Sequence, residues 1–195
     1  MSQSDSIAVS HVQAKVVYWG PAEVGKTTSI MRVRDAFARY CLDQVIMVQT
    51  TGGRTLWNEY GAFEFTIPRK GGTTTRAVVH VSSLTGQERF LQTREFAGAS
   101  ADGVIFVADC RQGREGVTRL SYEELVAFAL PSAPVVVQAN WQDAEGAMNP
   151  GELEALLDSV QRGRHSCIIP TVASTGANVA TAFLEAVLRV LVGRR

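Results

Sequence analysis

Residues 20–28, Gly20-Pro21-Ala22-Glu23-Val24-Gly25-Lys26-Thr27-Thr28, place glycine, lysine and hydroxyl groups at a spacing that suits phosphate. The pattern is G-x-x-x-x-G-K-S/T. In such a loop successive backbone N–H groups converge on phosphate oxygens, helped by the positive end of the helix that follows. Gly25 lets the backbone pass close to the phosphates. Lys26 would reach the β- and γ-phosphates, and Thr27 would offer its hydroxyl to Mg²⁺. Glu23 is the odd member: a carboxylate inside the loop repels phosphate unless it points outward, towards ribose or solvent.

This chemistry needs a strand before the loop and a helix after it. Val16-Val17-Tyr18-Trp19 is an apolar strand, and beyond Lys26 the residues Ile30, Val33, Phe37 and Tyr40 fall near helical spacing. Further strand-length runs are Val45–Val48, Val104–Val107, Val135–Val137 and Cys167–Ile169. Continuous apolar strands belong to a sheet covered on both faces, usually parallel. Between them, Tyr122–Phe128 reads as a helix, and Leu153, Leu156, Leu157 and Val160 form a helical stripe. That second helix has a clear start, with Asn149 as cap, Pro150 in the first turn and Glu152 closing a capping box. Phe183, Val187 and Leu191 mark one face of a last helix. Phe63, Phe65 and Ile67 alternate with polar residues, Pro68–Gly72 turn the chain, and Ala77, Val79 and Val81 alternate again, which reads as an antiparallel hairpin. The expected fold is an α/β, doubly wound, mostly parallel sheet of about six strands, with one antiparallel hairpin strand and helices on both faces. It is expected to be one domain over residues 1–195, with 1–13 a short N-terminal extension.

The composition bounds the function. The 195 residues are 46% hydrophobic, and Lys plus Arg (19) balances Asp plus Glu (19). A chain this long buries about 70% of its unfolded surface, enough for a sizeable core. The neutral balance argues against a dominant nucleic-acid or anionic-membrane surface. Cys41, Cys110 and Cys167 are far apart and odd in number, which fits a reducing, cytoplasmic setting rather than a disulfide framework or a zinc site. The polar N-terminus lacks the features of a signal peptide, and no apolar run is long enough to span a bilayer. No stable membrane insertion is expected. Three arginines on the last helix and tail, Arg189, Arg194 and Arg195, suit a solvated face better than an anchor. His11, His80 and His165 are scattered and suit surface or strand-packing roles.

Three more segments narrow the phosphate loop to a family. Thr85-Gly86-Gln87-Glu88-Arg89-Phe90 resembles the second switch of Ras-like GTPases. Asn140-Trp141-Gln142-Asp143 resembles their guanine-recognition motif N-K-x-D. Ala173-Ser174-Thr175-Gly176-Ala177-Asn178-Val179 is similar to the loop whose backbone N–H, near Ala173, meets the guanine oxygen. The ordered set spans nearly the whole chain, residues 14 to 193. Lys15–Pro21, Gly53-Arg54-Thr55-Leu56 and Asp102–Asp109 resemble, more narrowly, the bacterial MglA family of small Ras-like GTPases of gliding motility and cell polarity. The resemblance implies a single G domain that switches between GTP and GDP with Mg²⁺. It implies that Gly86 meets the γ-phosphate, that Gln87 orients the attacking water, and that Asp143 accepts two hydrogen bonds from guanine. It makes Arg54 the candidate internal arginine finger and Thr55 the first-switch ligand of Mg²⁺ and γ-phosphate, so that Thr27 and Thr55 share the metal. It also implies a roadblock-type GTPase-activating protein and a polarity or motility effector as partners.

Alternatives stay open at several positions. Gln87 reads as catalytic or as a surface switch residue, and Arg54 as a finger or a solvated side chain. Ser83 stands where Ras-like proteins carry the second-switch aspartate; the MglA family tends to have threonine there, so a hydroxyl is compatible with binding. Gly53 replaces an aspartate. Trp141 replaces the motif's lysine and can stack on a base, a contact worth about 1–3 kcal/mol elsewhere, or pack on neighbouring apolar residues. Trp57, Phe63 and Phe65 read as a docking surface or as core. These departures define a second functional reading, a pseudo-GTPase with degenerate nucleotide motifs that acts as an interaction scaffold.

Overall fold

The computed structural model describes residues 9–42, 60–69, 73–83 and 91–193. Strand β1 (Val9–Trp19) leads through the phosphate loop into helix α1 (Lys26–Ala36). The hairpin β2 (Tyr60–Pro68) and β3 (Thr74–Ser83) follows, then α2 (Leu91–Ala99) and β4 (Gly103–Asp109). Next come α3 (Glu115–Phe128), β5 (Val135–Asn140), α4 (Pro150–Gln161), β6 (Cys167–Pro170) and α5 (Val179–Gly193). The six strands form one sheet in the order β2-β3-β1-β4-β5-β6. Among the described strands only β2 runs antiparallel, to β3; the remaining pairs are parallel. This is the doubly wound sheet with one antiparallel strand that the apolar runs and the single alternating hairpin predict. The run Val45–Val48 lies outside the described residues.

The strand alternation divides the interior into two cores. Val16 and Tyr18 of β1, Ile105 and Val107 of β4 and Val136 of β5 face α1 and α5, where they meet Ile30, Val33, Phe183 and Val187. Val17, Trp19, Val104, Phe106, Val135 and Val137 face the opposite way, towards Tyr122 and Leu125 of α3 and Leu153 and Leu157 of α4. Every residue of β4 and β5 is buried. That double cover is why these strands read as unbroken apolar runs. Phe63 and Phe65 belong to the first core, with Phe63 5.4 Å from Phe183 and Phe65 6.0 Å from Phe37 between ring centroids. Both are therefore packing residues; Trp57 lies outside the described residues.

Two boundaries differ from expectation. Residues 9–13, assigned from sequence to an N-terminal extension, are the first half of β1 and pair with Thr74–Val78 of β3. Ser10, His11 and Gln13 are exposed and Val12 half-buried, so no apolar run marks this half of the strand. Helix α3 starts at Glu115 rather than near Tyr122. Its first turns turn Thr118 and Ser121 inward, and small polar residues leave no apolar stripe to read. The free side of β2 is partly occupied: Cys41 bridges to Phe63, and the Leu42 N–H donates to the Ala62 carbonyl at 2.8 Å.

Helix α4 begins as its sequence demands. The Asn149 side chain accepts from the Gly151 and Glu152 N–H groups at 2.9 and 3.0 Å, and Glu152 accepts from the Asn149 N–H at 2.9 Å. Asn149→Ala removes both acceptor bonds and is expected to cost about 1 kcal/mol of stability, read as a lower urea midpoint at unchanged slope.

Candidate functional site

Sheet order sets the location of the site. From β1 the chain winds to β3 on one side, and β4 lies on the other, so the C-terminal ends of β1 and β4 flank the point where the winding reverses. Open α/β sheets bind ligands at such a point. The phosphate loop leaves β1 there. Gly20 has φ +148°, and a Cβ on it would lie 2.3 Å from the Val107 carbonyl oxygen. Gly25 caps α1 with φ +105°, and a Cβ there would lie 2.6 Å from Asn140 Nδ2. Both positions combine a positive φ with no room for a Cβ, against backbone at Gly20 and against the Asn140 side chain at Gly25, so only glycine fits. The resulting cradle is shaped for an anion at a helix N-terminus.

Lys26 is buried and arches back over the loop, with Nζ donating to the carbonyls of Gly20 (2.9 Å) and Pro21 (2.6 Å). Pro21 and Val24 are buried, Thr27 half-buried, and Ala22, Glu23 and Thr28 exposed. Glu23 has φ +61° and faces outward, as its charge requires.

The recognition segment meets the loop through Asn140, the last residue of β5. Its side chain is buried; Nδ2 donates to the Val24 carbonyl at 2.8 Å. Its Oδ1 accepts from the Ala173 N–H at 2.9 Å and from Thr171 Oγ1 at 3.3 Å. One amide thus joins the phosphate loop, the end of β5 and the loop after β6. The Ala173 N–H, expected to meet a base oxygen, donates here to Asn140 Oδ1. A lone sequence motif shows which residue types are present but not which of their donors the fold already uses. The Ala173 and Ser174 carbonyls accept from Arg32 of α1, a contact invisible to motif reading. Trp141 has φ +69°, and its indole Nε1 donates to the Val24 carbonyl at 3.1 Å. Asp143 is exposed beside it. Ser83 ends β3 with its side chain buried. Arg54, Thr55, Gly86 and Gln87, as well as Gly53, lie outside the described residues.

A second polar cluster lies outside every sequence motif. Asp109 ends β4 in register with Asn140 of β5, and its side chain is fully buried. Arg111 binds it through two nitrogens, Nε at 2.9 Å and Nη2 at 2.7 Å, and Arg114 Nε adds a bond at 3.0 Å. Burial pushes the Asp109 carboxyl up, but the Arg111 and Arg114 hydrogen bonds outweigh it and hold the pKa below the usual carboxylate value. The available signal is an acid at the end of an apolar strand followed closely by two arginines. Nearby, burial pushes the Cys110 thiol up to about 12, so it is an inert core thiol.

The donor set fits a nucleoside phosphate: a glycine cradle, a lysine and a helix start. Among the described residues no cluster of His, Cys, Asp or Glu could hold a metal by itself. Mg²⁺ keeps few protein ligands and takes phosphate oxygens, which fits the Thr27 hydroxyl at the head of α1. Among the described residues no helix is long and apolar enough to cross a membrane.

The sheet order, the strand–loop–helix cradle and the amide that ties it to β5 make a doubly wound α/β fold around a phosphate loop, consistent with a Ras-like G domain. No family model matches the chain. Its sequence is similar to the Mutual gliding-motility protein MglA of Myxococcus xanthus (strain DK1622), 26% identical over 166 residues that cover 82% of this chain and 83% of the relative. In sequence the chain is MglA-like.

The Asp109 cluster makes a pH prediction. A carboxylate whose folded pKa is depressed adds stability above its unfolded pKa and loses it as pH falls through the folded value. Asp109→Asn is expected to lower stability at neutral pH by about 2 kcal/mol and to flatten the loss of stability on acidification below the ordinary carboxylate range. Urea midpoints across that range check both effects.

Proposed function

We propose that this chain is a small GTPase that alternates between GTP- and GDP-bound states and acts in bacterial cell polarity or motility. The observation that carries the reading is the Asn140 amide, which brings the phosphate loop, the N-x-x-D segment and the loop after β6 to one place. Phosphate oxygens would take the place of the Gly20 and Pro21 carbonyls as partners of Lys26. Asp143, exposed next to the fixed Asn140, is free to accept from the N1–H and amine of guanine, a donor pair that adenine lacks. Mg²⁺, when bound, would neutralise charge on the β- and γ-phosphates, with Thr27 and Thr55 as its protein ligands. Gln87 orients the attacking water, and Arg54 adds positive charge at the transferring phosphoryl group. GTP orders the segments around Thr55 and Gly86–Phe90, and hydrolysis releases them. The similarity to a gliding-motility protein supports the polarity or motility output, and the family resemblance supports a roadblock-type GTPase-activating protein as regulator.

The first test is release of nucleotide from the freshly purified chain by denaturation, with identification by anion exchange. Stoichiometric GDP or GTP is expected; a chain that stays empty after incubation with GTP and Mg²⁺ overturns the reading in favour of a scaffold. Lys26→Ala is expected to weaken GDP binding at least tenfold in a fluorescent-GDP titration, and Asp143→Asn to weaken GDP while sparing phosphate contacts. Gln87→Leu is expected to slow phosphate release by an order of magnitude at unchanged GTP affinity; normal turnover would remove Gln87 from the mechanism.

A further inference from the structure

Arg111 belongs to none of the nucleotide motifs, yet its contacts lead into the site. Its guanidinium is clamped through two nitrogens by the buried Asp109 carboxylate. So held, it lies 4.2 Å from the centre of the Trp141 ring. The indole in turn donates to the Val24 carbonyl of the phosphate loop at 3.1 Å. A continuous line of contacts therefore runs from the buried end of β4 to the loop: Asp109, Arg111, Trp141, Val24. One end is a buried carboxylate that grips the half-buried Arg111 through two nitrogens, so the guanidinium has little freedom, and a cation over an indole face restricts the ring as well.

The same guanidinium lies in the field of Glu23. The Asp109 hydrogen bond raises the Arg111 pKa most, burial opposes it, and the charges of Asp109 and then Glu23 add to the rise. Glu23 is the one acid in the phosphate loop. Even turned outward, this carboxylate adds negative charge to a loop shaped for phosphate, and a cation within its field lessens that effect. In the N-K-x-D motif one lysine supplies both a stem along the base and a positive charge. Here the two duties are divided, with Trp141 giving the flat surface and Arg111 the charge.

We propose that Arg111 is a positioning residue of the nucleotide site: clamped by Asp109, it holds the Trp141 indole against the phosphate loop and offsets the charge of Glu23, so that nucleotide retention depends on it. This rests on the reading of the site as a guanine-nucleotide site.

The test combines Arg111→Met, Arg111→Lys and Glu23→Gln in the full chain, alone and paired. Release of methylanthraniloyl-GDP is timed in a chase, and intrinsic fluorescence of the nucleotide-free chain is compared with that of Trp141→Phe. Arg111→Met is expected to speed release about tenfold, and Arg111→Lys to restore part of the retention. Glu23→Gln is expected to recover several-fold retention in the Arg111→Met background and to do much less in the parent. The Trp141 emission is expected to change in Arg111→Met and not when Trp141→Phe is already present. A residue that serves stability alone would gain nothing from Glu23→Gln. Parent-like release from Arg111→Met, or an equal effect of Glu23→Gln in both backgrounds, overturns the proposal while the parent still binds GDP. Should Arg111→Met fail to fold, the same cycle with Arg111→Lys decides, and absence of coupling there overturns the proposal. A parent chain that binds neither GDP nor GTP overturns the functional reading and this inference with it.

Discussion

One buried amide holds the phosphate-loop end of the molecule together. Asn140 donates to one loop and accepts from another, and its side chain has no contact with bulk water to substitute for either partner. Few side chains could do this. Aspartate lacks the donor, leucine lacks both functions, and glutamine is a methylene too long for a site where Gly25 leaves no room for a Cβ. Each backbone group left unpaired in such a place costs about 1–3 kcal/mol. The three loops come from separate crossovers, and this residue ties them together, with the Trp141–Val24 and Arg32–Ala173 contacts beside it.

The sheet prepares that arrangement. Strands β4 and β5 are apolar along nearly their whole length and turn polar at their C-terminal residues, Asp109 and Asn140, which are register partners. Hydrocarbon packing on both faces fixes the strands, and the polar groups appear where the backbone leaves the sheet. Burial makes each interaction strong: a carboxylate with two guanidinium partners and an amide satisfied at both ends tolerate little displacement. Lys26 follows the same logic, since its ammonium is tied to loop carbonyls and the cradle keeps its shape through internal bonds.

Much of this was legible in the sequence, for identifiable reasons. The phosphate loop is legible because its glycines answer to backbone geometry, and α4 because its cap and stripe are local. The doubly buried strands announce themselves as β-branched runs. The first half of β1 and the first turns of α3 do not, because half-covered or small polar residues leave no periodic trace. The Asp109–Arg111–Arg114 cluster is illegible for another reason: a charged residue at a strand end reads as solvent-facing, and only the tertiary fold buries it. The bond from the Ala173 N–H to the Asn140 side chain is illegible too, because it joins residues distant in sequence that no motif couples.

The two margins of the sheet carry a different consequence. An open edge strand presents unpaired N–H and C=O groups that would invite another chain to add to it. At one margin β6 is only four residues and stops at Pro170, which has no N–H to offer. At the other, β2 stops at Pro68, and residues 41 and 42 already occupy part of its outer side. Short edges, prolines and a covering segment are the devices by which sheets avoid edge-to-edge growth. In the described residues the sheet thus leaves few free ladder groups at either margin for another strand to take up.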